Sequence, residues 1–253
     1  MGIPYITAHS GCEHTPRDSM DAIERAVALG ADIVEMDIRR APDGVLRISH
    51  DPLGLEEYGE KVLLEDVFQR LKDTGLSLNC DMKEAGALYP TLDMAAACGF
   101  GKERLILSGC TSPEQIARDP SLVQRARIYV NVEELVKLLY FADKRPKYDL
   151  DFGKLMTQPW KSLWKIPWPD AWTDEVVQFA QTFQVQGINL PFQCLTDDFA
   201  EKMRASKVPF SVWTVNDPAD MERCMQLEAE NITTLEVSLA LETRGKFCKS
   251  PLK

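Results

Sequence analysis

Eight short apolar runs recur along this chain, and helical patterns separate most of them. The runs are Tyr5–Ala8, Ile33–Ile38, Leu76–Met82, Arg104–Leu107, Arg127–Val130, Gly187–Leu190, Phe210–Val215 and Asn231–Thr234. Strands that alternate with helices must pair in parallel, because each helix carries the chain back to the edge where the previous strand began. Eight such units in 253 residues match the customary size of a TIM (β/α)8 barrel, about 250 residues. They fit an open doubly wound sheet less well, and no GxGxxG or GxxxxGK[ST] loop supports a nucleotide fold. The expectation is an α/β protein, one (β/α)8 domain over residues 1–253.

The helices can be placed between the strands. Thr15 is expected to cap the first, with Pro16 at its first position, Met20, Ile23 and Val27 on its apolar stripe, and Gly30 at its end. Asp174–Phe183, Phe199–Ser206 and Ala219–Leu227 read the same way. Residues 143 to 172 break the rhythm: they hold four of the five tryptophans and no convincing strand. Prolines at 159, 167 and 169 argue against one long helix there. This irregular segment follows the fifth strand, so it is expected on the C-terminal face, as a satellite core, a lid or an apolar wall.

Side chains alternate along a strand. In the second strand, Val34, Met36 and Ile38 form an apolar face for helices. The opposite face carries Ile33, Glu35 and Asp37. The third strand repeats the pattern, with Ser77, Asn79, Asp81 and Lys83 inward. Three carboxylates, Glu35, Asp37 and Asp81, therefore converge at one end of the barrel. Buried acids need a counter-charge, from protein cations such as Lys83 or from a metal. Hard oxygen ligands suit Mg²⁺ or Ca²⁺ better than zinc. Asp43-Gly44 is a two-residue hairpin signal that can fold the chain back and deliver His50 to the same mouth. His9 ends the first strand at that rim, and Trp213 and Asn216 end the seventh. The chain has three histidines, and two beside an acidic cluster suggest an acid–base pair.

Composition narrows the partners. The formal charge of −10 argues against nucleic acid or an anionic membrane, while an anionic small molecule stays compatible if a metal reverses the local sign. Seven cysteines without CxxC pairs read as buried reduced thiols rather than a disulfide framework or zinc site. No run is long enough to span a bilayer and no signal peptide precedes the first strand, so no stable membrane insertion and a cytoplasmic location are expected.

These residues resemble the glycerophosphodiester phosphodiesterase family, within the phospholipase-C-like (β/α)8 phosphodiesterases. That family carries a block GAD-x-h-E-x-D…D-G…HD, and residues 30 to 51 read GADIVEMDIRRAPDGVLRISHD. VWTVN at the seventh strand and GINLP at the sixth also match, and the motifs run in family order from residue 9 to 216. The resemblance implies one divalent cation, Mg²⁺ or Ca²⁺, on Glu35, Asp37 and Asp81. It implies His9 and His50 as general acid and base, and Lys83 as a phosphate contact. Substrate contacts are expected at Lys83, Trp213, Asn189, Ser10 and Arg17. The implied reaction hydrolyses glycerophosphodiesters, small-molecule substrates, to an alcohol and glycerol phosphate.

Several positions depart from the family pattern. Ser10 stands where the family's HRG has arginine. PENT reads PRDS, with Arg17 and Asp18 for Glu and Asn. The third-strand acid is Asp81 rather than Glu, and Asp-x-Lys is the pattern of the sphingomyelinase D branch. The eighth strand reads TTLE in place of ITD, leaving Glu236 or nothing in that role. The insertion after HD is short, with Pro52 leading quickly to a helix. Two alternatives follow: a lysophospholipase D or sphingomyelinase D-like enzyme forming a cyclic phosphate, or a barrel without catalysis.

Overall fold

A parallel strand can be paired on both edges only if the sheet is wide or closed, and here it is closed. The computed structural model describes residues 2–54, 58–141 and 170–249. The strands among them are β1 (Tyr5–Ala8), β2 (Ile33–Arg40), β3 (Leu46–Ile48), β4 (Ser77–Met82), β5 (Leu105–Gly109), β6 (Arg127–Asn131), β7 (Gly187–Pro191), β8 (Phe210–Trp213) and β9 (Asn231–Thr234). They pair in the order β1-β9-β8-β7-β6-β5-β4-β2-β3, and β1 also pairs with β2. Only β3 runs antiparallel, as the return arm of a hairpin on β2. The other eight form a closed parallel (β/α)8 barrel, as the alternating pattern predicts.

Helices cover the outside: α1 (Met20–Leu29), α2 (Leu64–Leu71), α3 (Leu88–Ala97), the short α4 (Pro113–Arg118) and α5 (Leu122–Arg125), α6 (Val132–Phe141), α7 (Asp170–Phe183), α8 (Asp197–Ala205), α9 (Pro218–Gln226) and α10 (Val237–Lys249). The outward strand residues Val34, Met36, Ile38, Leu78, Cys80 and Met82 join Ile23, Val67, Phe68, Leu88 and Leu92 of the helices in one continuous core. Burying an aliphatic or aromatic side chain of this kind stabilises by roughly 1.5–3 kcal/mol relative to exposure.

The barrel interior has two characters. Ile33, Ile106 and Tyr129 form a separate apolar cluster on β2, β5 and β6. Across from it the lining is polar: Thr7 Oγ1 donates to Asn231 Oδ1 at 2.6 Å, and Asn231 Nδ2 donates to Ser211 Oγ at 2.9 Å. Both fill the space beneath the C-terminal mouth.

Two sequence expectations need correction. Thr15 does not cap the first helix, which begins at Met20, with Ser19 Oγ accepting from Ala22 N at 3.2 Å. The reason is local: Asp18 adopts φ 55, a left-handed turn that a helix starting at Pro16 cannot contain, while Thr15 Oγ1 donates to Cys12 O. Gly30 does end the helix, at φ 75, as the left-handed cap requires. The tryptophan-rich segment at 143–172 lies outside the described residues, except that its last tryptophan, Trp172, sits in α7 and is buried in the core. Finally, the cysteines are not all buried as expected: Cys98 is half-buried, and Cys110 and Cys248 are exposed. Among the described residues no helix is long and apolar enough to cross a membrane.

The Ile33–Ile106–Tyr129 cluster supports the polar mouth from below. Ile106→Ala should cost about 2–5 kcal/mol of unfolding free energy, measured by urea denaturation. A loss under about 1 kcal/mol would mean that the inner layer carries little of the barrel's stability.

Candidate active site

Register brings the acids together. In the β2–β4 pairing Glu35 lies beside Asn79 and Asp37 beside Asp81, so alternation aims Glu35, Asp37 and Asp81 into the barrel. One oxygen from each lies within 4.8 Å of the others. Glu35 and Asp37 are buried, at 7% and 2% exposure. Lys83, one step beyond the end of β4, reaches back with Nζ 2.7 Å from Asp37 Oδ1 and in close contact with Asp81 Oδ2. Lys83 thus supplies counter-charge directly to the two aspartates. Ser108 Oγ on β5 lies 2.8 Å from Asp81 Oδ1 and holds the carboxylate from the far side.

The electrostatics follow from this crowding. Glu35 is pushed well above the ordinary carboxylate range by burial, then by the charges of Asp37 and Asp81. Asp37 is also raised by burial, although Lys83 pulls the other way. Burial opposes the charge on Lys83, but Asp81 and Asp37 outweigh it and raise its pKa. Asp37 Oδ2 is buried with no hydrogen-bond partner, and Arg17 Nη2 lies 3.6 Å from it. Three carboxylates face two cations. The orphaned oxygen, the shared pull for a proton and the all-oxygen donor set fit a hard divalent cation.

The two histidines come from adjacent elements. His9 follows β1; its Nε2 is 3.8 Å from Glu35 Oε2 and its Nδ1 is 3.2 Å from Ser10 O. Burial holds the imidazole below its usual pKa, against the opposing charge of Asp37. His50 is delivered by the hairpin, as the Asp43-Gly44 signal predicts. Gly44 takes φ 83, Asp43 Oδ1 accepts from Val45 N at 3.0 Å, and the returning β3 pairs Ile48 with Ile38. The His50 backbone is then clamped at both ends. Its N–H donates to Asp18 Oδ2 at 2.9 Å, and its carbonyl accepts from Arg39 Nε and Nη2. His50 Nδ1 is 2.8 Å from Asp51 Oδ1, which leaves Nε2 free for other partners.

Asp18 was not singled out by sequence reasoning, although its role is legible afterwards. Its other oxygen accepts from Ser10 Oγ at 3.0 Å, and its N–H donates to the same hydroxyl. One carboxylate therefore ties the His9 loop to the His50 loop. Ser10, expected among the substrate contacts, has its hydroxyl engaged with Asp18 and its N–H donated to Glu35 Oε2, and it does not line the cavity onto which the acids and histidines open. Arg17 does line it. Gly109 was also missed. It holds φ 70, and a Cβ there would lie 2.5 Å from Asp81 Oδ1, so glycine is needed where β5 passes the third acid. Asn216 ties β8 to β9, its Oδ1 accepting from Thr234 Oγ1 and Leu235 N. Glu236 is not among the lining residues; Thr233 is.

All of this opens into one cavity of about 280 Å³. His9, Arg17, Glu35, Asp37, His50, Asp81 and Lys83 line one side. Asn131, Glu133, Asn189 and Trp213 line the side formed by β6, β7 and β8. Glu133, which sequence reasoning did not single out, is 6% exposed. Its pKa is raised to about 7, mainly by burial. A carboxyl that binds its proton more tightly folded than unfolded stabilises fully below its unfolded pKa, and loses that contribution as pH rises through the folded value. Glu133→Gln should therefore be more stable than the native chain at pH 8, by on the order of 3 kcal/mol at most, with little difference at pH 4. Denaturant melts at the two pH values test this; identical pH dependence for both proteins would refute it.

Comparison with known proteins places the chain in a family. The model of the glycerophosphoryl diester phosphodiesterase family matches residues 9–237. A glycerophosphodiester phosphodiesterase of Caldanaerobacter subterraneus subsp. tengcongensis is 25% identical over 237 residues, covering 90% of this chain and 93% of its own. The glycerophosphodiester phosphodiesterase structure from Thermotoga maritima superposes with a TM-score of 0.65 at 16% identity, covering 96% of this chain and 99% of that one. A phosphodiesterase of Oleispira antarctica, solved with its product sn-glycerol-3-phosphate, gives a TM-score of 0.68 at 13% identity, covering 95% and 96%.

Proposed function

The chain belongs to the glycerophosphoryl diester phosphodiesterase family, and from that premise we propose that it hydrolyses glycerophosphodiesters by metal-assisted acid–base catalysis with His9 and His50. The observation that carries this reading is that both histidines, the three acids and Lys83 line one cavity. Glu35, Asp37 and Asp81 would hold one divalent cation, Mg²⁺ or Ca²⁺, which when bound draws in a nonbridging phosphate oxygen and neutralises its charge.

The chain's own residues supply the rest. Lys83, already among the acids, adds positive charge where the phosphorane-like transition state becomes most negative. Arg17 reaches the same side from the loop before α1. It restores, seven positions later, the cation that Ser10 does not provide, and its bidentate fork suits a phosphate. One histidine takes the proton of the attacking water as the new P–O bond forms. The other gives a proton to the departing alcohol oxygen as the old P–O bond breaks. Asp51 and Asp18 hold His50 in place for its share of this work.

A second reading rests on the Asp81-x-Lys83 pattern: a hydroxyl of the substrate attacks in place of water and leaves a cyclic phosphate. The products decide between the two nucleophiles. Phosphorus NMR on glycerophosphocholine and lysophosphatidylcholine separates a monoester from a cyclic diester and identifies the preferred substrate. Failure to cleave either, with Mg²⁺ or Ca²⁺ supplied, would leave a barrel without catalysis.

Two outcomes follow. His9→Ala and His50→Ala should each lower kcat on the order of 10²–10⁴-fold with unchanged thermal unfolding; wild-type turnover in either variant would remove that histidine from the mechanism. EDTA should abolish hydrolysis and excess Mg²⁺ or Ca²⁺ restore it, whereas activity that survives exhaustive chelation would assign Glu35, Asp37 and Asp81 a purely ionic role with Lys83 and Arg17.

A further inference from the structure

A second cavity, of about 390 Å³, lies at the end of the barrel away from the mouth. It forms where the chain enters the strands: Lys102 precedes β5, Arg127 opens β6, Gln184 and Gln186 precede β7, and Lys207 precedes β8. This end of a (β/α)8 barrel ordinarily serves stability, and the chemistry belongs to the other end. A cation that serves stability is expected to have partners. Two others on this side do: Arg104 donates to the carbonyls of Leu71, Lys72 and Leu76, and Arg125 Nη2 lies 2.6 Å from Asp93 Oδ1.

The three cations of the cavity are different. Among the described residues no carboxylate pairs with Lys102, Arg127 or Lys207, and no acid lines the cavity. Arg127 Nη2 donates to Ser77 Oγ at 3.0 Å, but Arg127 Nε is buried with no partner. Glu230, the acid that approaches through Gln186, is already engaged: it accepts from the Tyr129 hydroxyl and from Gln186 Nε2. Three cations are thus gathered without an acid in a chain of formal charge −10. Val123, Val185 and Val208 add buried apolar wall beside them, and surroundings of low polarity strengthen the pull on an opposite charge.

An anion answers this lining, and the donors indicate its class. A guanidinium offers a planar fork, and each ammonium offers rotatable donors. A phosphate group gathers up to about two negative charges and three acceptor oxygens on one atom, so it can meet donors arriving from separate loops at once. A carboxylate carries one charge on two oxygens, and a dicarboxylate spreads its charges along a chain. We propose that Lys102, Arg127 and Lys207 form a second anion site, on the N-terminal face of the barrel, that takes the phosphate group of a small phosphorylated molecule. Gln184 adds an uncharged donor at its rim. The site is separate from the reaction at the mouth and does not depend on which diester is cleaved there.

The test titrates inorganic phosphate into the full-length protein and follows the amide nuclear magnetic resonance shifts of Gln184, Val185, Gln186 and Val208. Succinate at matched ionic strength controls for charge without a phosphate group. The native chain should show saturable shifts at these amides, with a Kd for phosphate at least about fivefold below that for succinate, within the margin that one added charge-assisted hydrogen bond supplies. Lys102→Gln combined with Lys207→Asn removes two of the three charges, and asparagine tolerates the left-handed backbone that Lys207 holds at φ 56. The double variant should bind phosphate at least about tenfold more weakly. Should it fail to fold by circular dichroism, Lys102→Gln alone is read, with a loss of about threefold expected. Shifts that rise without saturating, shifts confined to residues of the mouth, or a Kd unchanged in the variants would overturn the site. Succinate binding as tightly as phosphate would overturn the assignment to a phosphate group.

Discussion

Like charges forced into one small volume set the terms for the mouth of this barrel. Parallel pairing places Asp37 beside Asp81 and Glu35 beside Asn79, and strand alternation gives these side chains one direction to point. At separations below 4.8 Å, in surroundings far less polarisable than water, carboxylates repel by several kcal/mol unless cations or protons intervene. Lys83, Arg17, Ser108 and the N–H of Ser10 all aim at this cluster. The apolar layer of Ile33, Ile106 and Tyr129 keeps solvent from relieving the strain from beneath. A cluster held this way stores a standing demand for positive charge, which a phosphate ester with its counter-ion can meet.

Much of the fold was legible because its signals are periodic. The inward and outward faces of β2 and β4 follow from residue alternation alone, and the structure keeps every assignment at Val34, Met36, Ile38, Leu78, Cys80 and Met82. The turn at Asp43-Gly44 and the delivery of His50 were readable from a local signal, although the loop is longer than the two residues expected, with Ala41 N bonded to Val45 O across it. What escaped depended on long-range contacts. Asp18 stood in a loop that looked like the start of a helix, and only the folded chain shows its carboxylate joining Ser10 to His50. Gly109 carries no sign in sequence that Asp81 passes so close. Glu133 sits in VEELV, where an acid in the first turn of a helix is ordinarily a solvated residue favoured by the helix dipole; here β6 ends so that the turn is folded into the mouth. The substrate side was therefore read less fully than the acid–base side.

Ser10 and Arg17 play different parts beside the acids. Ser10 is a structural hydroxyl, bonded to Asp18 on one side and through its backbone to Glu35 on the other. Arg17, on the loop before α1, places a guanidinium nitrogen 3.6 Å from Asp37 Oδ2. The acids therefore have a second cation besides Lys83, although position 10 does not carry one.

The hydrogen-bonded clamp at Asp18, the hairpin and β4 place both histidines, all three acids and the lysine within residues 9 to 83, on β1, β2 and β4. The residues on the facing wall come later, between 131 and 213, on β6, β7 and β8. The barrel is thus divided along its circumference into an earlier arc that carries the histidines, acids and lysine and a later arc that faces them. A substitution in the later arc can therefore reshape one wall of the cavity without touching the residues of the earlier one.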